Sequence, residues 1–228
     1  MAYILNIETS TKNCSVSIAK NGEVVAIKEL NNGNYSHAEV LHVFIDDILK
    51  SNGILSSELD AIAVSKGPGS YTGLRIGVSA AKGLSFAHNI PLISVDTLKA
   101  LASSINVTDG YIVPMIDARR LEVYASVFDS ELNLVSPTEA KVINSDSYQE
   151  YLESQKVYFL GDGSEKCKSI LTHKNAHFID NHHPSAKEMA ILSYDKFKKE
   201  EFEDVAYFEP FYLKDFIVIP EKKRKPTY

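Results

Sequence analysis

The segment from Ser65 to His88, SKGPGSYTGLRIGVSAAKGLSFAH, indicates how this 228-residue chain folds. It begins at the end of an apolar run that predicts a buried strand, after which Gly67-Pro68-Gly69 reverses the chain. Ser70 or Thr72 can cap the helix that we expect from Tyr71 to His88. A strand, a tight turn and a long helix in this order favour an α/β protein. Because the loop lacks the Gly-Lys-Ser/Thr ending of a P-loop, it does not predict that kind of phosphate site.

The predicted helix 71–88 is apolar around most of its circumference. Its polar side chains Arg75, Ser79 and Lys82 fall in one narrow strip when residues are placed about 100° apart. Small residues such as Gly77 and Ala81 lie among the apolar ones, although a glycine inside a helix costs up to about 1 kcal/mol relative to alanine. We therefore expect this helix to be buried on more than one side and to be approached closely by another helix.

A second predicted helix, 36–51, has an unusually wide apolar stripe. Its apolar side chains, including Val40 and Phe44, span about half of the helical wheel, and Val43 lies beyond that stripe. Covering one sheet requires a stripe only about 100° wide. Two explanations carry equal weight: the two helices pack on each other and on a sheet within the monomer, or part of their surface is reserved for another subunit.

The same order of elements is predicted twice along the chain. In the first half, strands and helices are expected at 3–8, 14–20, 23–30, 36–51, 60–65, 71–88, 91–95 and 97–105, with Asn21-Gly22 as a hairpin turn. In the second half they are expected at 111–117, 121–128, 133–142, 146–154, 156–160, 164–171, 176–180 and 185–199. Pro114 favours an edge position for the strand 111–117 because it lacks a backbone donor.

This duplicated βββαβαβα order predicts an α/β protein of two lobes, each a mixed sheet covered by helices. We place the N-terminal lobe at residues 1–104 and the C-terminal lobe, which ends in a basic tail, at residues 105–228. The alternative is a single open α/β sheet with a decorated C-terminal half.

The composition, 44% hydrophobic and 24% charged, is that of an ordinary globular protein, and no apolar run reaches the ~18 residues that a membrane-spanning helix needs. We expect a cytoplasmic location. The net charge is -6, which argues against broad, unaided binding of nucleic acid, so any contact with RNA is expected to be indirect or local. The tail EKKRKPTY at 221–228 is either a solvated end or a small electrostatic footprint for RNA.

Few side chains suggest chemistry. The loop Thr9-Ser10-Thr11 carries three hydroxyls and can hold a phosphate, but it can equally be a polar turn that satisfies its own backbone. His173 and His177 have the spacing of a metal pair on a helix, whereas the segment around them is predicted as a strand, so we predict no metal site. No serine lies in a Gly-x-Ser-x-Gly elbow, and no residue is predicted to be catalytic.

Four stretches of the chain resemble one known family. They are ILNIETSTKNCSVSIAKNG from residue 4, the segment SKGPGSYTGLRIGVSAAKGLSFAHNIPLISVDTLKAL from residue 65, MIDARRLEVYASVF from residue 115, and FEPFYLK from residue 208. Together they are similar to the TsaB family, also called YeaZ, of bacterial accessory subunits for threonylcarbamoyl-adenosine synthesis on tRNA. The similarity covers nearly all of the first 130 residues, and later only GDGS at 161–164 and PFYL at 210–213 support it. The family has the two-lobed actin and sugar-kinase (ASKHA) fold, in agreement with the duplicated order.

The resemblance implies that the chain is a non-catalytic paralogue of the transferase subunit TsaD and binds it through the two apolar helices. The implied partner interface comprises Val40, Phe44, Asp47, Leu74, Gly77, Val78, Ala81 and Leu84. On this interpretation, Gly77→Arg or Ala81→Glu abolishes the complex and leaves the monomer folded, and the same surface supports a homodimer when the partner is absent.

The resemblance also implies which components belong to the other subunits. A TsaE-type ATPase joins the complex, and tRNA is contacted indirectly. ATP, threonylcarbamoyl-adenylate and the metal belong to the partner complex, so this chain alone is expected to bind no cofactor.

Departures from the family's catalytic relatives support a non-catalytic role. Thr97 and Leu101 occupy the positions of the transferase's two metal-binding histidines, and neither offers an imidazole nitrogen. Asp117-Ala118-Arg119-Arg120 replaces a glycine-rich second phosphate loop, and Gly161-Asp162-Gly163 keeps only part of the adenosine-side pattern. We therefore expect at most a weak nucleotide contact, at Thr9, Ser10 and Thr11.

Two enzymatic alternatives remain. One is an ATP-dependent metabolite kinase of the same fold that uses Glu8 or Asp117 near a phosphate and Mg²⁺. The other is a metalloprotease, which an old family label suggests and which the lack of an His-Glu-x-x-His motif disfavours.

Overall fold

A computed structural model describes residues 1–33 and 36–214, so the basic tail at 221–228 lies outside the described residues. The strands are β1 (Tyr3–Glu8), β2 (Cys14–Lys20), β3 (Glu23–Leu30), β4 (Ala61–Ser65), β5 (Leu92–Val95), β6 (Tyr111–Asp117), β7 (Glu122–Asp129), β8 (Leu134–Val142), β9 (Val157–Leu160) and β10 (Ala176–Ile179). The α-helices are α1 (His37–Ser51), α2 (Tyr71–His88), α3 (Thr97–Ala102), α4 (Gln149–Ser154) and α5 (Ala186–Lys198). Within the described residues, no helix is both long and apolar enough to cross a lipid bilayer.

The two sheets have the same topology, which confirms the predicted duplication and excludes a single open sheet. The first sheet has the order β3-β2-β1-β4-β5, and the second has the order β8-β7-β6-β9-β10. In each, the first strand pairs antiparallel with the second and parallel with the fourth. The predicted hairpin turn is present, since Asn21 and Gly22 both have positive φ between β2 and β3.

Helices α1 and α2 cover one face of the first sheet. Leu5 and Ile7 of β1 are buried there against Leu41 and Ile45 of α1 and Val78 of α2. This cluster is the larger part of the first lobe's core, and it fixes both helices on the sheet by burial of apolar surface.

The opposite face of the first sheet is covered by α5, which belongs to the end of the chain. Met189 and Ala186 of α5 pack on Ile4 of β1. Polar contacts add to this packing: the Ser193 hydroxyl donates to Asn6 Oδ1 at 2.7 Å, and the Ala186 amide donates to Ser15 Oγ at 2.8 Å. The predicted boundary at residues 104 and 105 therefore does not match the packing, because α5 lies after it in sequence and completes the first lobe.

Two predictions for the second lobe are wrong. The predicted helix 164–171 is only a short 3₁₀ turn, Glu165–Cys167, in which the Cys167 amide bonds to the Ser164 carbonyl. The strand with Pro114 is central, because β6 lies between β9 and β7. The proline is tolerated because the β6–β7 ladder pairs Ile112 with Phe128 and Met115 with Ala125 and is interrupted between them.

Candidate functional site

The two helices that the sequence singles out lie side by side on the first lobe. α2 begins at a serine cap, since the Ser70 hydroxyl accepts from the Gly73 amide at 3.2 Å. It ends in Asn89, whose left-handed backbone (φ 52°) places its amide near the last carbonyls of the helix. α1 packs against α2 and against β2. The pair therefore forms a continuous helical layer with one outer face.

Half of the predicted partner interface is buried inside the lobe. Leu74, Val78 and Ala81 are buried, and the last two belong to the core beneath α2. A Cβ atom on Gly77 would lie 2.2 Å from Thr9 Oγ1, so this glycine faces the β1–β2 loop. These four residues cannot form a surface for a partner, and we expect Gly77→Arg and Ala81→Glu to disrupt the lobe itself. The error arose because the wheel identifies apolar faces but not what covers them.

The other predicted residues lie on the outer side of the helix layer. On α1, Val40 and Phe44 are half-buried and Asp47 is exposed, with its carboxylate 3.0 Å from Lys28 Nζ of β3. On α2, Leu84 is half-buried. Val40, Phe44 and Asp47 recur at helical spacing on one side of α1, which keeps them close together.

The predicted interface omitted three residues of this surface. Val43 is 53% exposed and Phe86 is 83% exposed, while a Cβ atom on Gly83 would meet no atom within 4 Å. A signal for Phe86 was available, because it falls within the polar strip of Arg75 and Lys82 on the helical wheel. The helix layer leaves most of the Phe86 side chain uncovered.

The hydroxyl loop is filled by the chain itself. Thr9, Ser10 and Thr11 are all buried, and Cβ atoms on Gly69 and Gly73 would lie 2.4 Å from the Ser10 carbonyl oxygen and 2.1 Å from the Thr9 carbonyl oxygen. Gly69 in the turn and Gly73 in the first turn of α2 therefore let the helix approach the loop. These three hydroxyls do not reach solvent in this arrangement, and the weak nucleotide contact expected at them stays a prediction.

Glu8, which precedes this loop, is a buried carboxyl. Its Oε1 accepts from the Ser10 amide at 2.6 Å and from Ser65 Oγ at 3.0 Å. Loss of hydration raises the pKa of Glu8 above its ordinary value, and these hydrogen bonds offset only part of that effect. The residue ties β1 to the end of β4 and is not aimed at an open cleft.

The glycines at 161 and 163, which keep part of the adenosine-side pattern, also lie against the chain itself. Cβ atoms on Gly161 and Gly163 would lie 2.2 Å from the Met115 carbonyl oxygen and 2.9 Å from the Ile116 carbonyl carbon. These glycines serve the close approach of β6 and not that of a phosphate. Asp162 Oδ1 accepts from the Asp117 amide at 3.0 Å, and burial raises the pKa of Asp162.

In this chain, the two residues at the positions of the transferase's metal-binding histidines contribute to hydrogen bonding and to the core. Thr97 Oγ1 accepts from the Gly67 amide at 3.1 Å and holds the glycine turn, and Leu101 is fully buried. Across residues 1–33 and 36–214, no three His, Cys, Asp or Glu side chains are grouped so as to hold a metal ion.

Comparisons with known proteins agree with the fold. The family of tRNA N6-adenosine threonylcarbamoyltransferases (TsaD) matches residues 32–219. The TsaB protein of tRNA threonylcarbamoyladenosine biosynthesis from Bacillus subtilis (strain 168) is 30% identical over 219 residues, which cover 92% of this chain and 93% of that protein. The tRNA N6-adenosine threonylcarbamoyltransferase of the same organism is 39% identical over 108 residues, 41% of this chain and 31% of that protein.

A solved structure extends the likeness to three dimensions. The crystal structure of an uncharacterized protein with similarity to peptidase YEAZ from Pseudomonas aeruginosa matches with a TM-score of 0.83 and 25% identity, over 94% of this chain and 100% of that one. Both lobes are thus covered, as is nearly the whole length of the TsaB relative. The chain belongs to the TsaB (YeaZ) family of tRNA threonylcarbamoyladenosine biosynthesis proteins, which share the ASKHA fold.

Proposed function

We propose that this chain is a non-catalytic, cytoplasmic accessory subunit required for threonylcarbamoyl transfer to adenosine 37 of tRNAs that read codons beginning with A. It acts by binding a TsaD-type transferase. The observation that carries the proposal is the outer face of the α1–α2 layer, where Val43 and Phe86 remain exposed although both helices already bury a core face. This outer face comprises the exposed Val43, Gly83 and Phe86 and the half-buried Val40, Phe44, Ile76 and Leu84.

The partner's chemistry follows from its relationship to this chain. A transferase with 39% identity over 108 residues is expected to present a related helix pair. Two related surfaces can pair about an approximate two-fold axis, which gives four helices in one contact. Such a contact covers Val43 and Phe86, and Gly83 allows a second helix to approach α2 closely.

Three features support a non-catalytic role. Thr97 and Leu101 are used in packing and hydrogen bonding, and the hydroxyl loop is covered by α2. Gly161 and Gly163 lie against the backbone of β6, so a kinase-like phosphate site is not favoured. The metal, ATP and threonylcarbamoyl-adenylate belong, on this proposal, to a complex of the transferase with a TsaE-type ATPase. Alone, the chain uses the same outer face to form a homodimer.

The proposal is tested by complex formation with the TsaD-type transferase of the same organism, measured by size-exclusion chromatography. We expect Val43→Glu with Phe86→Glu to weaken the complex about tenfold or more, because burying an unpaired carboxylate is costly. A matched control is Leu134→Glu with Val142→Glu on β8, since both side chains are also exposed and apolar but lie on the second lobe.

The control pair is expected to bind like wild type. An outer-face variant that is folded and still binds with wild-type affinity would refute the interface. Reconstituted tRNA modification adds a functional measurement, in which omission of the chain is expected to stop the reaction. Modification at an undiminished rate without it would refute the accessory role.

A further inference from the structure

A short segment near the end of the described chain connects the two lobes. In this segment, residues 211–214, the Phe211 amide donates to the Lys66 carbonyl oxygen at 2.7 Å in the first lobe. Three residues later, the Lys214 ammonium bonds to the Glu122 carboxylate at the start of β7 in the second lobe. The segment therefore holds the turn before α2 next to the β6–β7 turn.

Arginines of both lobes lie near this segment. The Tyr212 ring lies 4.8 Å from the Tyr71 ring, and the Arg75 guanidinium lies 4.7 Å from the same Tyr71 ring. Residues 212 and 214 are at most about 7 Å apart along the chain. Arg75 of the first lobe and the turn of the second lobe that carries Arg119 and Arg120 therefore both adjoin residues 212–214.

The turn itself has an uncommon backbone. Arg119 and Arg120 are consecutive left-handed residues, with φ of 75° and 52°. This conformation costs roughly 1–2 kcal/mol for each residue that has a Cβ atom. The Asp117 carboxylate stabilises it by accepting from the Arg119 amide at 2.9 Å. Both arginines are exposed, and strained exposed turns are concentrated at functional sites.

In the described residues, the carboxylates around the turn form their ion pairs with lysines and not with the arginines. The nearest carboxylates, Asp117 and Glu122, are bound by Lys166 and Lys214. Of the chain's four arginines, Arg75, Arg119 and Arg120 lie in the described part, and there none of the three has a carboxylate oxygen within 4.0 Å. A protein of net charge -6 thus carries a local positive site.

We infer that Arg75, Arg119 and Arg120 form a direct binding site for the phosphodiester backbone of tRNA. Guanidinium groups match phosphate oxygens in geometry and stay charged at all physiological pH values. The inference rests on the proposed function, which makes tRNA the available polyanion. It replaces the expectation that tRNA is contacted only indirectly. A local cluster of arginines can bind phosphate although the net charge of the whole chain is -6.

The test measures binding of an unmodified tRNA transcript by fluorescence anisotropy, with the chain alone and in complex with the transferase. The variant is Arg119→Glu with Arg120→Glu. We expect its affinity for tRNA to be at least about tenfold lower than that of wild type. The slope of log K against log[salt] is expected to become about 1.5 less steep, because two phosphate contacts are lost. Arg119→Gln with Arg120→Gln is the milder variant, with a smaller loss in the same direction.

The matched control is Lys174→Glu with Lys199→Glu, which changes the charge by the same amount. Lys174 precedes β10, and Lys199 follows the end of α5. The neighbouring Lys198 lines a cavity with Asp60 and Pro91, which come just before β4 and β5. Both positions are exposed and lie at the amino ends of the parallel strands, opposite the arginines. The control is expected to bind tRNA within about twofold of wild type.

The outcomes separate this inference from the proposed function. If the complex forms and the arginine variants bind tRNA like wild type, or lose no more than the control, the arginine site is wrong and the accessory role stands. If the arginine variants keep tRNA binding but lose the ATPase subunit, the site binds protein and the inference is overturned. If the chain fails to bind the transferase, size-exclusion chromatography shows this without RNA.

Discussion

Two glycines of α2 give opposite predictions for the same substitution. A Cβ atom on Gly73 would lie 2.1 Å from the Thr9 carbonyl oxygen, which belongs to the backbone and cannot rotate away. A Cβ atom on Gly83 would meet nothing within 4 Å. Gly73→Ala therefore tests whether a glycine is needed at the start of α2 for its close approach to the β1–β2 loop, and Gly83→Ala is its internal control.

The expected magnitudes follow from these distances. Overpacking costs about 1–3 kcal/mol, and more when backbone has to move, whereas alanine gains up to about 1 kcal/mol over glycine in a helix. We expect Gly73→Ala to lower the free energy of unfolding by about 2 kcal/mol, and Gly83→Ala to raise it by about 0.5–1 kcal/mol. For a chain of this size, a change of 1 kcal/mol in stability shifts Tm by about 2–4 °C. The Tm of Gly73→Ala is therefore expected to be lower than that of wild type by about 4–8 °C, and the Tm of Gly83→Ala higher by about 1–4 °C.

Differential scanning calorimetry and urea unfolding of the two variants and wild type measure these changes. A Gly73→Ala protein as stable as wild type would show that the β1–β2 loop does not lie against α2. A Gly83→Ala protein less stable than wild type would show that the outer face of α2 is already covered within the monomer, which would also remove the basis of the proposed partner surface.

The remaining predictions concern buried titratable groups. Because burial raises the pKa of Glu8, the folded state keeps a proton that the unfolded state loses above its ordinary pKa of 4.5, so stability falls as pH rises beyond that value. Glu8→Gln should reduce this dependence in urea unfolding, and an unchanged pH profile would contradict it. Burial raises the pKa of Cys14 to about 12 and also raises that of Cys167, so in the folded protein neither thiol should react with a thiol reagent at about pH 8. Both should react after denaturation, and rapid labelling of the folded protein would show that the thiols are accessible.

Local patterns were sufficient for most elements of the fold. The alternation at residues 14–20 and the Asn21-Gly22 pair predicted β2 and its hairpin, and the helix 71–88 has the predicted bounds. These features depend on short-range backbone and side-chain preferences, which the sequence carries directly. The weaker segment 164–171 was predicted wrongly because its few apolar residues fit a helix or a packed turn equally well.

The candidate site was predicted only in part. The sequence identified the two helices that carry the outer face, but it assigned Gly77 and Ala81 to the partner although the β1–β2 loop and the core cover them. It did not assign Val43 and Phe86, which are exposed. A helical wheel shows which residues share a face of a helix. Whether that face is buried depends on segments that are distant in the chain.

The amino-acid sequence by itself determined the duplicated order of strands and helices and the family resemblance, because periodicity and turn residues act over a few positions. Only the tertiary structure decided that α5 completes the first lobe and that residues 211–214 connect the turn before α2 with the start of β7. Such contacts join residues tens to more than one hundred positions apart. They are fixed by the packing of sheets and the connections between lobes, for which no local pattern exists.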